Sequence, residues 1–333
     1  MSAAYIITII LVYFGLLYLI SRLTSARADG ATFFIANRKA PWFLVAYGMV
    51  GVGISGITFI SVPGQVVDTQ FSYFQMVIGY AIGLFIVAFF MLPIYYKIKA
   101  ISIYSFLKER YGNYSHNTGA IFFLMAQTAS AAFRLFLMAY VLQIALFGPM
   151  GLPFWVTVLA TLLLIWFYTY RGGIKTVIFT DTLQTTFLIA DLFLFLWSIR
   201  RQFDLSAGEL YTAMDKEGIS QIFFWSWKDP KNFFKLVFVG TLLTVMTNGL
   251  DQSIMQKHLT CKDLVSSQKN IVTLAIILLV VNIFFLFLGG ALQLFTMKEN
   301  IIIPEQTDTL FPMLALDHLG LAAGIFFFIG IAS

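Results

Sequence analysis

Apolar residues run in blocks of about 20 along most of this 333-residue chain, and a block of about that length lets a helix cross a bilayer. Polar interruptions separate nine of them, near 4–22, 43–65, 73–96, 117–148, 153–170, 177–199, 232–254, 270–296 and 317–333. Each predicts a membrane-spanning helix. Two blocks are themselves interrupted. Residues 47–64 read YGMVGVGISGITFISVPG, with Gly48, Gly51, Gly53 and Gly56 among the hydroxyls Ser55, Thr58 and Ser61. Each glycine weakens a helix by about 1 kcal/mol relative to alanine, so the cluster predicts local unwinding. The seventh block, VFVGTLLTVMTNGLDQSIMQ, carries Gly240, Asn248 and Gly249.

Backbone carbonyls freed at membrane depth survive only where they line an enclosed or water-filled cavity. Counted from the second block, the interrupted blocks are the first and the sixth. Paired breaks at those places mark an inverted five-plus-five repeat, with the ion and solute site at the break. The first block, 4–22, then stands apart as an extra N-terminal helix. Residues 43–199 form one five-helix repeat and 232–333 an incomplete second one.

Composition agrees with an all-α polytopic membrane protein, with 59% hydrophobic and 11% charged residues. The net charge of +5 does not imply nucleic acid, because the basic residues sit in short loops. One cysteine, Cys261, excludes an internal disulfide framework. His116, His258 and His318 are scattered and form no metal-ligand cluster or enzyme site. The run 4–20 starts without a basic region and reads as a retained helix rather than a cleaved leader. The ninth block runs to Ser333 with no basic flank or polar tail, so the chain reads as truncated within that helix. Loops bearing Arg38, Lys39, Lys97, Lys99, Lys108, Arg110, Arg171 and Lys257 fall on one side. The positive-inside rule makes that side cytoplasmic and the N-terminus external. In the outer loop 200–231, residues 205–217 predict an amphipathic surface helix, and Phe224, Trp225 and Trp227 an aromatic interfacial anchor.

Ionisable residues inside apolar blocks are expensive and are functional candidates by default. Arg134 lies midway along block four, on the face that also carries Gln127 and Ser130. A guanidinium there suits an anionic solute, a carboxylate above all, or a structural carboxylate partner. Asp181, followed by Gln184 and Thr185 on the same face, offers hard oxygen ligands for a cation or a structural contact. Asp191, further along that helix, is unassigned. Ser55 and Thr58 can donate to a solute while the carbonyls of Gly51 and Ile54 face a cation. The same small residues also permit close helix packing. Gln75 is a weak signal alone. Gly172-Gly173 reads as an inside turn, and Asp251-Gln252 as a cap or loop bridge.

Four local motifs stand in order along the chain: FFIANRKAPW at 33–42, IYSFLKERYG at 103–112, GGIKTVIFTDTLQ at 172–184 and DQSIMQKHLTCKD at 251–263. Together they resemble the sodium/solute symporter family. That resemblance implies a leucine-transporter-like five-plus-five fold with an extra N-terminal helix, and transport rather than enzymatic function. It implies sodium as the coupling ion, with no organic cofactor. Gly51 and Ile54 match its main sodium site and Asp181 a second one, with further ligands beyond Ser333. Ser55, Thr58, Gln75 and Arg134 are similar to the solute-contacting residues of bacterial sialic acid symporters in that family. The implied partners are sodium, the lipid bilayer and a small anionic or zwitterionic solute. The implied function is import of sialic acid by alternating access at the cell membrane. The alternatives are proline, another amino acid or a monocarboxylate as the solute, and a sensor built on a transporter fold.

Overall fold

The computed structural model describes residues 3–24, 40–54, 56–98, 103–169 and 174–317, and these are helical apart from turns, loops and one isolated bridge between Ala40 and Cys261. The helices are α1 Ala3–Thr24, α2 Trp42–Gly53, α3 Gly56–Thr69, α4 Tyr73–Ile86, α5 Leu92–Lys97, α6 Ile103–Leu142 and α7 Phe154–Thr169. After them come α8 Ile174–Phe203, α9 Ala207–Lys216, α10 Phe233–Thr244, α11 Gln252–His258, α12 Leu264–Lys298 and α13 Leu310–Asp317. Among the described residues, five stretches are long and apolar enough to cross a membrane: Thr58–Lys97, Phe106–Tyr140, Thr176–Phe203, Phe233–Leu250 and Leu264–Lys298. The ninth apolar block, with His318, lies outside the described residues but for its first position, and so do Ser55, Gly172-Gly173 and most of the 33–42 motif.

The predicted glycine break is present: α2 ends at Gly53, Ile54 forms a turn, and α3 restarts at Gly56. The second interruption lies at Val245–Leu250, where α10 loosens into wide π turns before α11. Such turns are common at functional sites. Asp251 then caps α11, accepting from the N–H groups of Ser253 and Ile254 at 2.8 and 3.2 Å. Gly240 has a different job from the one its place in the block predicts. It sits inside regular helix, where a Cβ would lie 2.3 Å from the Met76 carbonyl oxygen. Gly79 meets the Val237 carbonyl oxygen at the same distance. These two glycines let α4 and α10 touch backbone to backbone.

The chain divides into two compact units. The first comprises 1–45, 87–180 and 247–270, and the second 46–86, 181–246 and 271–333. In the first, α1 packs on α7 through stacked Tyr18 and Phe167, 4.6 Å apart. The fourth apolar block starts earlier than its hydropathy predicts, and α6 is folded back at Gly112, whose φ of 84° suits glycine. The fold lets the His116 ring reach the Tyr104 carbonyl at 2.8 Å, twelve residues away. Residues 258–270 close on themselves: Asn270 Nδ2 meets His258 Nδ1 at 2.9 Å and Ser267 Oγ donates to the His258 carbonyl at 2.8 Å.

In the second unit the core is aromatic. Phe59 of α3 touches Phe195 of α8, Phe285 of α12 and Phe311 of α13, with centroids 6.4, 5.6 and 5.2 Å away. The predicted surface helix is α9, closed by a capping box between Ser206 and Glu209. It buries Leu210 and Met214, one turn apart. Trp225 and Trp227 are exposed, as an anchor requires, but Phe224 is buried with Lys231 Nζ 4.5 Å over its ring. It belongs to the packing of the loop and not to its outer face.

Candidate functional site

Residues on either side of the helix break are held by neighbours from α8 and α12. Gly51 presses against α8 so closely that a Cβ would lie 2.3 Å from Thr185 Oγ1. Its N–H donates to that hydroxyl at 3.0 Å. The same Oγ1 has one proton to give, donated to the Asp181 carbonyl oxygen at 2.8 Å with the Gly48 carbonyl oxygen as a longer alternative acceptor at 3.3 Å. One buried threonine hydroxyl therefore ties the end of α2 to the turn of α8 that begins at Asp181. Two residues later, Gly53 faces α12, where a Cβ would meet Leu278 Cδ2 at 3.3 Å. Ile54 is fully buried and its N–H still bonds the Val50 carbonyl at 2.9 Å. Beyond the break, Phe59 locks α3 into the aromatic core.

The structure thus brings Gly51, Ile54 and the backbone of Asp181 into one neighbourhood of the second unit. Thr58, partly buried, lies in the first turn of α3, two residues past Gly56. Ser55 lies outside the described residues. Gln75 is fully buried, and its amide is engaged at both ends. Nε2 donates to the Lys231 carbonyl at 2.9 Å, and Oε1 accepts from the Phe224 N–H at 3.1 Å. It acts as a strut between α4 and the loop before α10. Arg134 belongs to the first unit and is exposed on α6, rather than enclosed as its place in an apolar block suggests. Gln127 on the same helix donates to Asp251 Oδ2 at 2.6 Å.

Sequence reasoning noticed Thr185 only as a neighbour of Asp181. Its role as the clamp on Gly51 needs the packing of two helices that are 134 positions apart. It also passed over Asn282, the only polar side chain between Leu274 and Leu292. That isolation was the available signal.

Residues 33–333 match the pattern of the sodium:solute symporter family. The chain belongs to this family. Its helices make it a multi-pass membrane protein. As a family member it is similar to the sodium/sialic acid symporter SiaT of Proteus mirabilis, with 25% identity over 285 residues covering 83% of this chain and 55% of the relative. The sodium/sialic acid symporter NanT of Aliivibrio fischeri shows 24% identity over 285 residues, covering 83% of this chain and 54% of the relative. The human sodium/iodide cotransporter is more distant, at 22% over 234 residues, 69% of this chain and 35% of the relative. The chain spans about half the length of the two bacterial relatives. Its fold superposes on the substrate-bound, outward-open structure of a sodium-coupled sialic acid symporter with a TM-score of 0.81 at 21% identity, covering 100% of this chain and 69% of that one.

Proposed function

We propose that this chain carries the ion and solute site of a sodium-coupled symporter that imports a small carboxylate-bearing solute, sialic acid, by alternating access. The observation that carries the reading is the break at Ile54, clamped from α8 by Thr185. A helix interrupted in a membrane span and braced by its neighbours is an ion-binding device. The bacterial relatives supply the solute, since both are named for sodium and sialic acid.

In this reading the carbonyls of Gly51 and Ile54 face one sodium ion and the Asp181 carboxylate a second. Ser55 and Thr58 donate to the solute, and Arg134 answers its carboxylate. Gln75 contributes by fixing the loop it spans. Residues 43–199 and 232–333 belong to the two repeats, 4–22 is the extra helix, and the N-terminus is external. Each sodium moving down a membrane potential of 100 mV supplies about 2.3 kcal/mol, and sodium and solute tighten each other's binding by the same factor.

The test is uptake of radiolabelled sialic acid into proteoliposomes with and without an inward sodium gradient. Uptake is expected only with the gradient, and Arg134→Ala should reduce it by about a hundredfold or more, the cost of leaving a desolvated carboxylate unpaired. Gradient-independent uptake, or none, rejects the coupling. Undiminished uptake by the variant removes Arg134 from the site. Stronger competition by proline or a monocarboxylate than by unlabelled sialic acid reassigns the solute.

A further inference from the structure

Among the described residues, two buried polar side chains near the level of the break have oxygens with no hydrogen-bond partner. Asp191 of α8 is fully buried, and neither carboxylate oxygen is partnered. It is the only polar side chain between Phe187 and Trp197. Asn282 of α12 is 3% exposed. Its Nδ2 donates back to the Leu278 carbonyl at 2.8 Å, and its Oδ1 is unpartnered. A buried carboxylate in apolar surroundings demands neutralisation. Neither neighbour along its helix supplies a cation.

The helix registers put both residues at the level of the break. Leu278, Asn282, Phe285 and Gly289 follow one another at helical spacing along one face of α12. Leu278 meets Gly53, Phe285 meets Phe59 and Gly289 meets Pro63. Asn282 therefore sits on the face turned to α2 and α3, between the contacts to Gly53 and to Phe59. On α8 the contacts run from Thr185 against Gly51 to Phe195 against Phe59. Asp191 lies between them, one turn before Phe195. Both residues are thus one turn short of a ring that packs on Phe59, and the chain just before Phe59 is the break.

The available atoms are all oxygens and all acceptors: two from the carboxylate and one from the amide. Acceptors without donors suit a hard monovalent cation. We propose that Asp191 and Asn282 form a sodium position beside the break, separate from Asp181, ten residues away along α8. This rests on the reading that sodium drives the protein, and it adds an ion that Asp181 and the α2 carbonyls do not account for. Such an ion would brace α3 against α8 and α12 together.

The experiment measures radiosodium binding to the purified chain in detergent, beside uptake in proteoliposomes. Asp191→Asn and Asn282→Leu should each weaken sodium binding by about tenfold or more, the loss of one charge-assisted or polar ligand, and lower the number of bound ions per chain by one. Unchanged affinity and stoichiometry in both variants overturn the proposal. If Asp191→Asn does not fold, Asn282→Leu decides alone, because its side chain keeps nearly the same volume. Altered proton release with unaltered sodium binding also overturns it, and makes Asp191 a proton carrier. Absent uptake with these binding losses intact rejects the transport reading and leaves the sodium position standing.

Discussion

Thr185 Oγ1 accepts from Gly51 and reaches two carbonyls, so a single methyl or hydroxyl at this contact should have a large effect. Gly51→Ala places a Cβ where that oxygen lies and should destabilise the protein by about 1–3 kcal/mol, the usual cost of overpacking. Thr185→Ala removes the hydroxyl and opens space for the new methyl. The double variant should therefore lose less than the sum of the two single losses, a coupling visible in a double-mutant cycle of thermal unfolding. Additive losses would mean that Thr185 does not clamp the break. The glycine at 51 and the threonine at 185 were both legible in the sequence as polar or small residues in apolar blocks. Their pairing was not, because periodicity within one helix says nothing about which neighbour it meets.

At the level of helices, α4 and α10 show why a glycine in a membrane span is ambiguous on paper. Gly53 and Gly56 flank an actual break, whereas Gly79 and Gly240 lie in unbroken helix and serve contact. Gly79→Ala and Gly240→Ala each set a methyl against a backbone oxygen 2.3 Å away, which no rotamer change relieves. Each should cost about 2 kcal/mol or more in unfolding measurements, whereas Gly15→Ala, with open space around it, should be near neutral or slightly stabilising because alanine favours helix. Equal effects at the three positions would refute close α4–α10 packing. Each of the first eight apolar blocks contains helix among the described residues, in the order the blocks predict, since about 20 apolar residues in a row favour a buried helix. They missed the reversal at Gly112, where one continuous polar-to-apolar stretch hides two helical arms.

Across the whole molecule, stability should fall in acid through His258. Burial, helped by Lys257, pushes its imidazole down to about 3, against about 6.5 in an unfolded chain. The unfolded state thus binds a proton that the folded state refuses between those values. The stabilising contribution is fully present above about pH 6.5 and is lost as pH falls below it, by up to about 1.4 kcal/mol per unit. Thermal unfolding in detergent at about pH 7.5 and about pH 5.5 should show wild type losing its advantage over His258→Gln on the acid side. A constant difference would mean that the ring takes up its proton as readily in the folded chain as in the unfolded one. The family and the all-helical membrane class could be read from motif order and apolar spacing. The exposure of Arg134, the engagement of Gln75 and the two unpartnered oxygen-bearing side chains could not. All of these depend on what other segments place around a side chain.

Phe59 has a mechanical consequence. Its ring is wedged among rings from α8, α12 and α13, so α3 cannot tilt without dragging three other segments of the second unit along. Bending strain applied to α3 is therefore passed to those segments through one ring, and the half-helix moves with them as a stiff lever rather than flexing along its length.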